Sequence, residues 1–121
     1  MRIAKNDSAH YERLAALVGD LHIAILINNV GKSHDSGITF LETSGKAMDQ
    51  IISINVNGAL KVTQIVAPGT ASGKTGSILT MGSFGALLST PFVATYSGWR
   101  AFFQHSSTAL GLELKPDGVR V

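Results

Sequence analysis

The sequence has no cysteine among its 121 residues, which excludes disulfide bonds, thiolate catalysis and zinc–thiolate sites. Long apolar runs are also missing: Ile23–Ile27 is far shorter than the ~20 residues of a membrane-spanning helix. Residues 1–7 lack the apolar core of a signal peptide. The four histidines show no metal-ligand spacing, so no metal site is predicted. The net charge of +2 is small and scattered, which argues against a nucleic-acid partner.

The residues that are present are typical of one folded α/β domain. Hydrophobic residues make up 45% of the sequence, enough for a single core. Apolar residues recur at helical spacing in three segments: residues 8–18, 46–66 and 94–114. Three shorter apolar runs are typical of strands: His22–Ile27, Gly76–Met81 and Val119–Val121. The order α-β-α-β-α-β predicts a partial Rossmann-type, doubly wound parallel sheet with helices on both faces.

Two further local predictions follow from the same patterns. The β-branched run Ile23–Ile27 predicts a strand buried on both faces. Pro68-Gly69 is predicted to end the second helix, because proline cannot donate a hydrogen bond within a helix. In parallel sheets of this type, ligands bind beyond the carboxyl ends of the strands. The segments Asn28–Gly31 and Gly82–Gly85 are therefore where functional residues are expected.

Tyr96 and Arg100 lie four positions apart at the start of the third helix, so both side chains fall on one face. A cation one turn away lowers the pKa of a phenol, ordinarily ~10, and makes the pair suitable for proton transfer. Ser83 follows the second strand, where its hydroxyl could bind a substrate carbonyl. Asn55 lies inside a helical segment that disfavours an amide. Singly, these residues also fit a surface helix pair, a loop hydroxyl and a helix irregularity.

Together, the motifs resemble the short-chain dehydrogenases/reductases. Asn28-Asn29-Val30-Gly31 is similar to the family's Asn-Asn-Ala-Gly motif, and Asn55-Val56-Asn57-Gly58 to the segment with its catalytic asparagine. Ser83 and Tyr96 match the catalytic serine and tyrosine in type and spacing. Three longer stretches resemble fungal very-long-chain 3-oxoacyl-CoA reductases and their 17β-hydroxysteroid dehydrogenase type 12 relatives: residues 26–34, 62–69 and 79–85.

The resemblance implies NADPH-dependent reduction of a 3-oxoacyl-CoA during fatty-acid elongation at the endoplasmic reticulum. Without a signal or anchor in this sequence, a cytoplasmic location stays open. Tyr96 would protonate the carbonyl oxygen, Ser83 would polarise it, and Asn55 would hold a water in a proton relay. Arg100 would take the place of the family's catalytic lysine.

The implied cofactor contacts come from Asn28, Val30 and Gly31, joined by Tyr96 and Arg100. Two departures from the family are visible. The Tyr-x-x-x-Lys motif ends in arginine, which keeps the charge but cannot release a proton, and bulky Trp99 precedes it. The family's strand, glycine-rich turn and helix, which hold the cofactor's pyrophosphate, are absent from this sequence. The glycines of residues 69–75 do not form a phosphate loop, because the segment leaves a helix and enters a strand. Residues 1–121 are therefore expected to form the C-terminal half of the family's domain, truncated at both ends.

Three functions remain open at this point. The first is the reductase. The second is a catalytically inactive remnant that acts as an association module, with a homodimer formed through helices at about 46–66 and 94–114, as the resemblance implies. The third is an acyl-chain or nucleotide-binding module without chemistry. A hydrolase is disfavoured because Met81 stands where a nucleophile elbow has its first glycine.

Overall fold

A computed structural model describes residues 8–121; residues 1–7, where the sequence predicts no signal peptide, lie outside the described residues. The helices and strands follow the predicted order: α1 (Ser8–Val18), β1 (Ile25–Asn28), α2 (Gly45–Ile52), α3 (Ala59–Ser72), β2 (Gly76–Thr80), α4 (Ala94–Leu114) and β3 (Val119–Arg120). The bounds of α1 and α4 agree with the apolar periodicity. Among residues 8–121, the helices include none long and apolar enough to cross a bilayer.

The three strands form one parallel sheet in the order β1-β2-β3. In this sheet Ile25 pairs with Ser77 and Asn28 with Thr80, while Gly76 pairs with Val119. The strands are therefore adjacent in the order in which they occur along the chain. The predicted α/β class and partial Rossmann-type parallel sheet are confirmed.

The two faces of the sheet differ in burial. On one face, Ile78 and Val119 are 2% and 3% exposed, and Ile78 lies beneath side chains of α3 and α4. On the other face, Ile25, Ile27 and Leu79 are between 51% and 64% exposed. The sequence predicts that the first strand is buried on both faces and that helices cover both faces of the sheet. Both predictions are wrong for residues 8–121. The connections from β1 to β2 and from β2 to β3 have the same handedness and run in the same direction across the sheet. Their helices therefore lie on the same face.

The second predicted helix is longer and less regular than its pattern suggests. A π-helical segment, Ser53–Gly58, joins α2 to α3, and α3 continues through Pro68 to Ser72. The predicted end at Pro68 is therefore wrong. The last turn is held by Thr70, which is 1% exposed and donates to the Ile23 carbonyl over 2.9 Å. Such tertiary contacts outweigh the backbone hydrogen bond that proline removes.

A small core cluster lies between α2 and α4. It contains Ile51, Trp99 and Phe103, which are 0%, 4% and 7% exposed, and Tyr96 packs against it. The rings of Trp99 and Phe103 meet edge to face with their centroids 6.2 Å apart. This packing fixes the first turns of α4, which determines where the side chains of Tyr96 and Arg100 can lie.

Candidate active site

Tyr96 and Ser83 meet where the loop after β2 passes the start of α4. The Tyr96 hydroxyl donates to Ser83 Oγ over 3.2 Å. Gly85 permits this approach, because a Cβ at that position would lie 3.2 Å from Tyr96 Cε1. Ser83 Oγ also accepts from the Gly85 amide over 3.3 Å, which orients the serine in its loop. The structure therefore brings together the serine and tyrosine that the sequence places thirteen residues apart.

The surroundings of Tyr96 lower its pKa from the ordinary value of a phenol. The largest single cause is the hydrogen bond with Ser83, burial opposes it, and a hydrogen bond and the positive charge of Arg100 each lower the pKa further. The direction is the predicted one, and it has the serine as well as the cation among its causes. A hydrogen bond to the phenolate and a nearby positive charge both favour loss of the proton.

Arg100 connects the loops that follow β1 and β2. Its Nη1 donates to the Met81 carbonyl and, over 3.4 Å, to that of Gly82. Its Nη2 would lie 3.6 Å from a Cβ placed on Gly31. The guanidinium carbon lies 4.0 Å from the centroid of the Trp99 ring and 5.3 Å from that of Tyr96. Arg100 is therefore a central member of the site, and its Nη1 is already bonded to carbonyls at the end of β2.

Asn55 is 1% exposed and belongs to the π-helical segment. Its side chain accepts from the Lys32 amide over 2.7 Å and donates to the Lys32 carbonyl over 2.6 Å. Both ends of the amide are thus used to hold the loop after β1. Its predicted part in a water-mediated proton relay stays a prediction, and the described contacts assign the side chain a positioning role.

The first motif lies at the end of β1. Asn28 Nδ2 donates to Thr63 Oγ1 over 2.9 Å, which ties the strand end to α3. Val30 is 60% exposed beside it. A cavity of about 200 Å³ is lined by Asn28 and Val30 together with Asn55 and Arg100. Two residues predicted to bind the cofactor, Asn28 and Val30, therefore share a cavity with the predicted catalytic residues Asn55 and Arg100, whereas Ser83 and Tyr96 do not line it.

A second, larger cavity of about 590 Å³ also has Arg100 in its wall. Ser83 is its polar member nearest the tyrosine, and Phe84 and Leu87 contribute apolar surface. Met81 and Arg100 line both cavities. The two cavities therefore adjoin at these residues.

Some contributors could not be read from the sequence motifs. Lys32, Met81 and Gly82 act through backbone atoms, which carry no sequence signal. Thr63 resembles any helical threonine. Trp99 was the visible exception, as a bulky residue next to the arginine. Within residues 8–121, His, Asp and Glu side chains form no group of three that could hold a metal ion.

Comparison with known proteins gives a consistent result. The family model described as short chain dehydrogenase matches residues 2–121. The very-long-chain 3-oxoacyl-CoA reductase of Aspergillus terreus is 54% identical over 121 residues, which are all of this chain and 34% of that protein. The chain thus spans about a third of the length of the curated relatives it matches.

Solved structures with the same fold include a short-chain dehydrogenase from Streptomyces avermitilis. It has a TM-score of 0.88 and 25% identity, and the match covers 100% of this chain and 44% of that one. A short-chain dehydrogenase from Sphingobium yanoikuyae in complex with NADPH has a TM-score of 0.84 and 26% identity, with 94% and 44% covered.

Proposed function

The chain belongs to the short-chain dehydrogenase family, and from this premise we propose that its site serves the NADPH-dependent reduction of a 3-oxoacyl-CoA. The observation that carries the proposal is the hydrogen bond between Tyr96 and Ser83 with the Arg100 guanidinium alongside. A phenol with a lowered pKa, beside a fixed hydroxyl, is suited to protonating a carbonyl oxygen. The name of the Aspergillus terreus relative supports the substrate class.

The residues present fit one end of the cofactor. The cavity lined by Asn28, Val30 and Arg100 measures about 200 Å³, below the ~300–1,000 Å³ of a typical ligand pocket. It therefore suits a ring and its sugar rather than a whole dinucleotide. Trp99 lines this cavity, and its Nε1 is buried without a hydrogen-bond partner. When bound, NADPH would supply the hydride.

The protein's own side chains would supply the proton and position the reacting groups. Tyr96 would donate its proton to the carbonyl oxygen, and Ser83 would donate a hydrogen bond to the same oxygen. Arg100 would favour the phenolate left behind, since its charge lowers the pKa of Tyr96. Asn55 and Asn28 would keep the loop after β1 in place through their bonds to Lys32 and Thr63.

The acyl chain would lie in the larger cavity next to Ser83. Phe84 and Leu87 line that cavity and are 84% and 65% exposed, so they offer apolar surface beside the serine. Burial of an alkyl chain stabilises a complex by about 0.8 kcal/mol per methylene group. Action in very-long-chain fatty-acid elongation at the endoplasmic reticulum belongs to the same proposal.

A homodimer is the second part of the proposal. Leu60 on α3 and Phe102 and Leu112 on α4 are between 41% and 71% exposed, and their burial between two copies would remove apolar surface from water. This feature also supports the alternative, an inactive remnant that associates through these helices. Sedimentation combined with a turnover assay would separate the cases: a dimer that reduces a β-ketoacyl-CoA supports the reductase, a dimer without turnover supports the inactive remnant, and a monomer without turnover contradicts both.

The test of the reductase uses the single tryptophan of the chain. Titration with NADPH should quench Trp99 fluorescence with saturation, because Trp99 lines the cavity proposed for the cofactor. A β-ketoacyl-CoA should then oxidise bound NADPH. The variant Tyr96→Phe should abolish turnover and retain quenching, whereas Tyr11→Phe, which changes the other tyrosine, should leave both intact. Absence of saturable quenching at millimolar NADPH would refute the proposal.

A further inference from the structure

Trp99 occupies an unusual place for a core residue, because a charged group lies on its ring. The side chain is 4% exposed and is packed with Ile51 and Phe103. The Arg100 guanidinium carbon lies 4.0 Å from the ring centroid, within the ~6 Å range of a cation–π contact. The tryptophan therefore faces the core on one side and the candidate active site on the other.

The guanidinium is held by a combination of contacts that an ammonium group could not make. Its carbon lies over the indole ring while Nη1 reaches the carbonyls of Met81 and Gly82. A planar group can stack and donate from its edge at once, whereas an ammonium is a compact point charge. Arg100 Nε is buried without a hydrogen-bond partner, so this part of the group depends on the ring contact alone.

The same ring also contacts Tyr96. The Trp99 and Tyr96 rings meet edge to face, with centroids 5.4 Å apart and planes at 82°. The indole thus touches both the proton donor and the cation that acts on it. Among residues 8–121, Arg100 is the charged group whose field acts on the Tyr96 hydroxyl.

From these contacts we propose that Trp99 is a positioning residue: its indole face fixes the Arg100 guanidinium against the strand-end carbonyls and the Tyr96 ring. Trp99 and Arg100 then act as a matched pair. Changing either residue alone leaves the other poorly placed. The use of this pair in proton transfer rests on the proposed function, whereas the placement itself does not.

The placement can be measured without turnover, because the chain contains only two tyrosines. Burial raises the pKa of Tyr11, while that of Tyr96 is lowered, so their ultraviolet phenolate transitions separate. The loss of the lower transition in Tyr96→Phe identifies it. Trp99→Leu should shift this transition to higher pH, because the freed guanidinium moves away. Trp99→Phe, which keeps a ring, should shift it less.

Phe103→Leu is the matched control for general damage to the core. Phe103 is 7% exposed in the same cluster and loses its ring in the same way, so the variant should leave the Tyr96 transition in place. Trp99→Leu should also shift the Tyr96 transition less when Arg100 has been changed to lysine, since the pair of Trp99 and Arg100 is already broken in that variant. Equal shifts in Trp99→Leu and Phe103→Leu would overturn the proposal.

A second measurement needs no change at Trp99, in case Trp99→Leu fails to fold. In the unmodified chain, the ring current of the indole should move the Arg100 side-chain proton resonances upfield. Their absence in Arg100→Lys assigns them. Arg100 resonances at ordinary positions would overturn the proposal. If the resonances are shifted but the chain reduces no β-ketoacyl-CoA, the placement by Trp99 stands and only the proposed function fails.

Discussion

Replacing Asn55 by alanine removes both hydrogen bonds that hold the Lys32 backbone, at 2.7 and 2.6 Å. Each such bond contributes about 1 kcal/mol net, and a backbone group left unpaired away from water costs ~1–3 kcal/mol. Lys32 is only half-buried, so water would satisfy part of what is lost. We therefore expect Asn55→Ala to lower the free energy of unfolding by about 2–3 kcal/mol.

Urea unfolding followed by Trp99 fluorescence measures this change. With a slope of ~2 kcal/mol per molar urea, the midpoint should fall by about 1–1.5 M at an unchanged slope. Asn57→Ala is the matched control, because Asn57 is half-buried in the same π-helical segment. It should cost no more than ~0.5 kcal/mol. The urea midpoint of Asn55→Asp should lie below that of Asn57→Ala. A carboxylate at position 55 can accept from the Lys32 amide but cannot donate to the Lys32 carbonyl. An Asn55→Ala midpoint equal to that of Asn57→Ala would refute the reasoning.

Three other predictions follow from single contacts. Ser83→Ala should raise the pKa of Tyr96, because the largest lowering cause is lost; an unmoved phenolate titration would contradict this. Thr70→Val should lower the free energy of unfolding by about 1 kcal/mol in thermal or urea unfolding, because a buried hydroxyl hydrogen bond is lost. Thr70→Ser keeps a hydroxyl and should therefore retain most of the wild-type stability. Gly118→Ala should cost roughly 1–3 kcal/mol in the same assay, because φ of Gly118 is 72° and the new Cβ would clash with the Lys74 carbonyl oxygen. A wild-type midpoint for Gly118→Ala would show that the turn can rearrange.

The sequence by itself determined the order and type of the helices and strands. Helical periodicity fixes which faces are apolar, and it placed α4 at Ala94–Leu114 as the structure has it. It also determined that Asn28, Asn55 and Ser83 precede Tyr96 in a family-specific order. Because the carboxyl ends of parallel strands share one edge, the topology places Asn28 and the loop that holds Ser83 at the same edge of the sheet.

Only the tertiary structure decided how those residues are held. That α3 continues through Pro68 depends on a distant contact of Thr70, which local propensity cannot contain. The exposure of Ile25 depends on which face the crossovers cover. Arg100 reads in the sequence as a cation one turn from a tyrosine. Its actual partners are the Trp99 ring and two backbone carbonyls, and backbone atoms are the same in every residue.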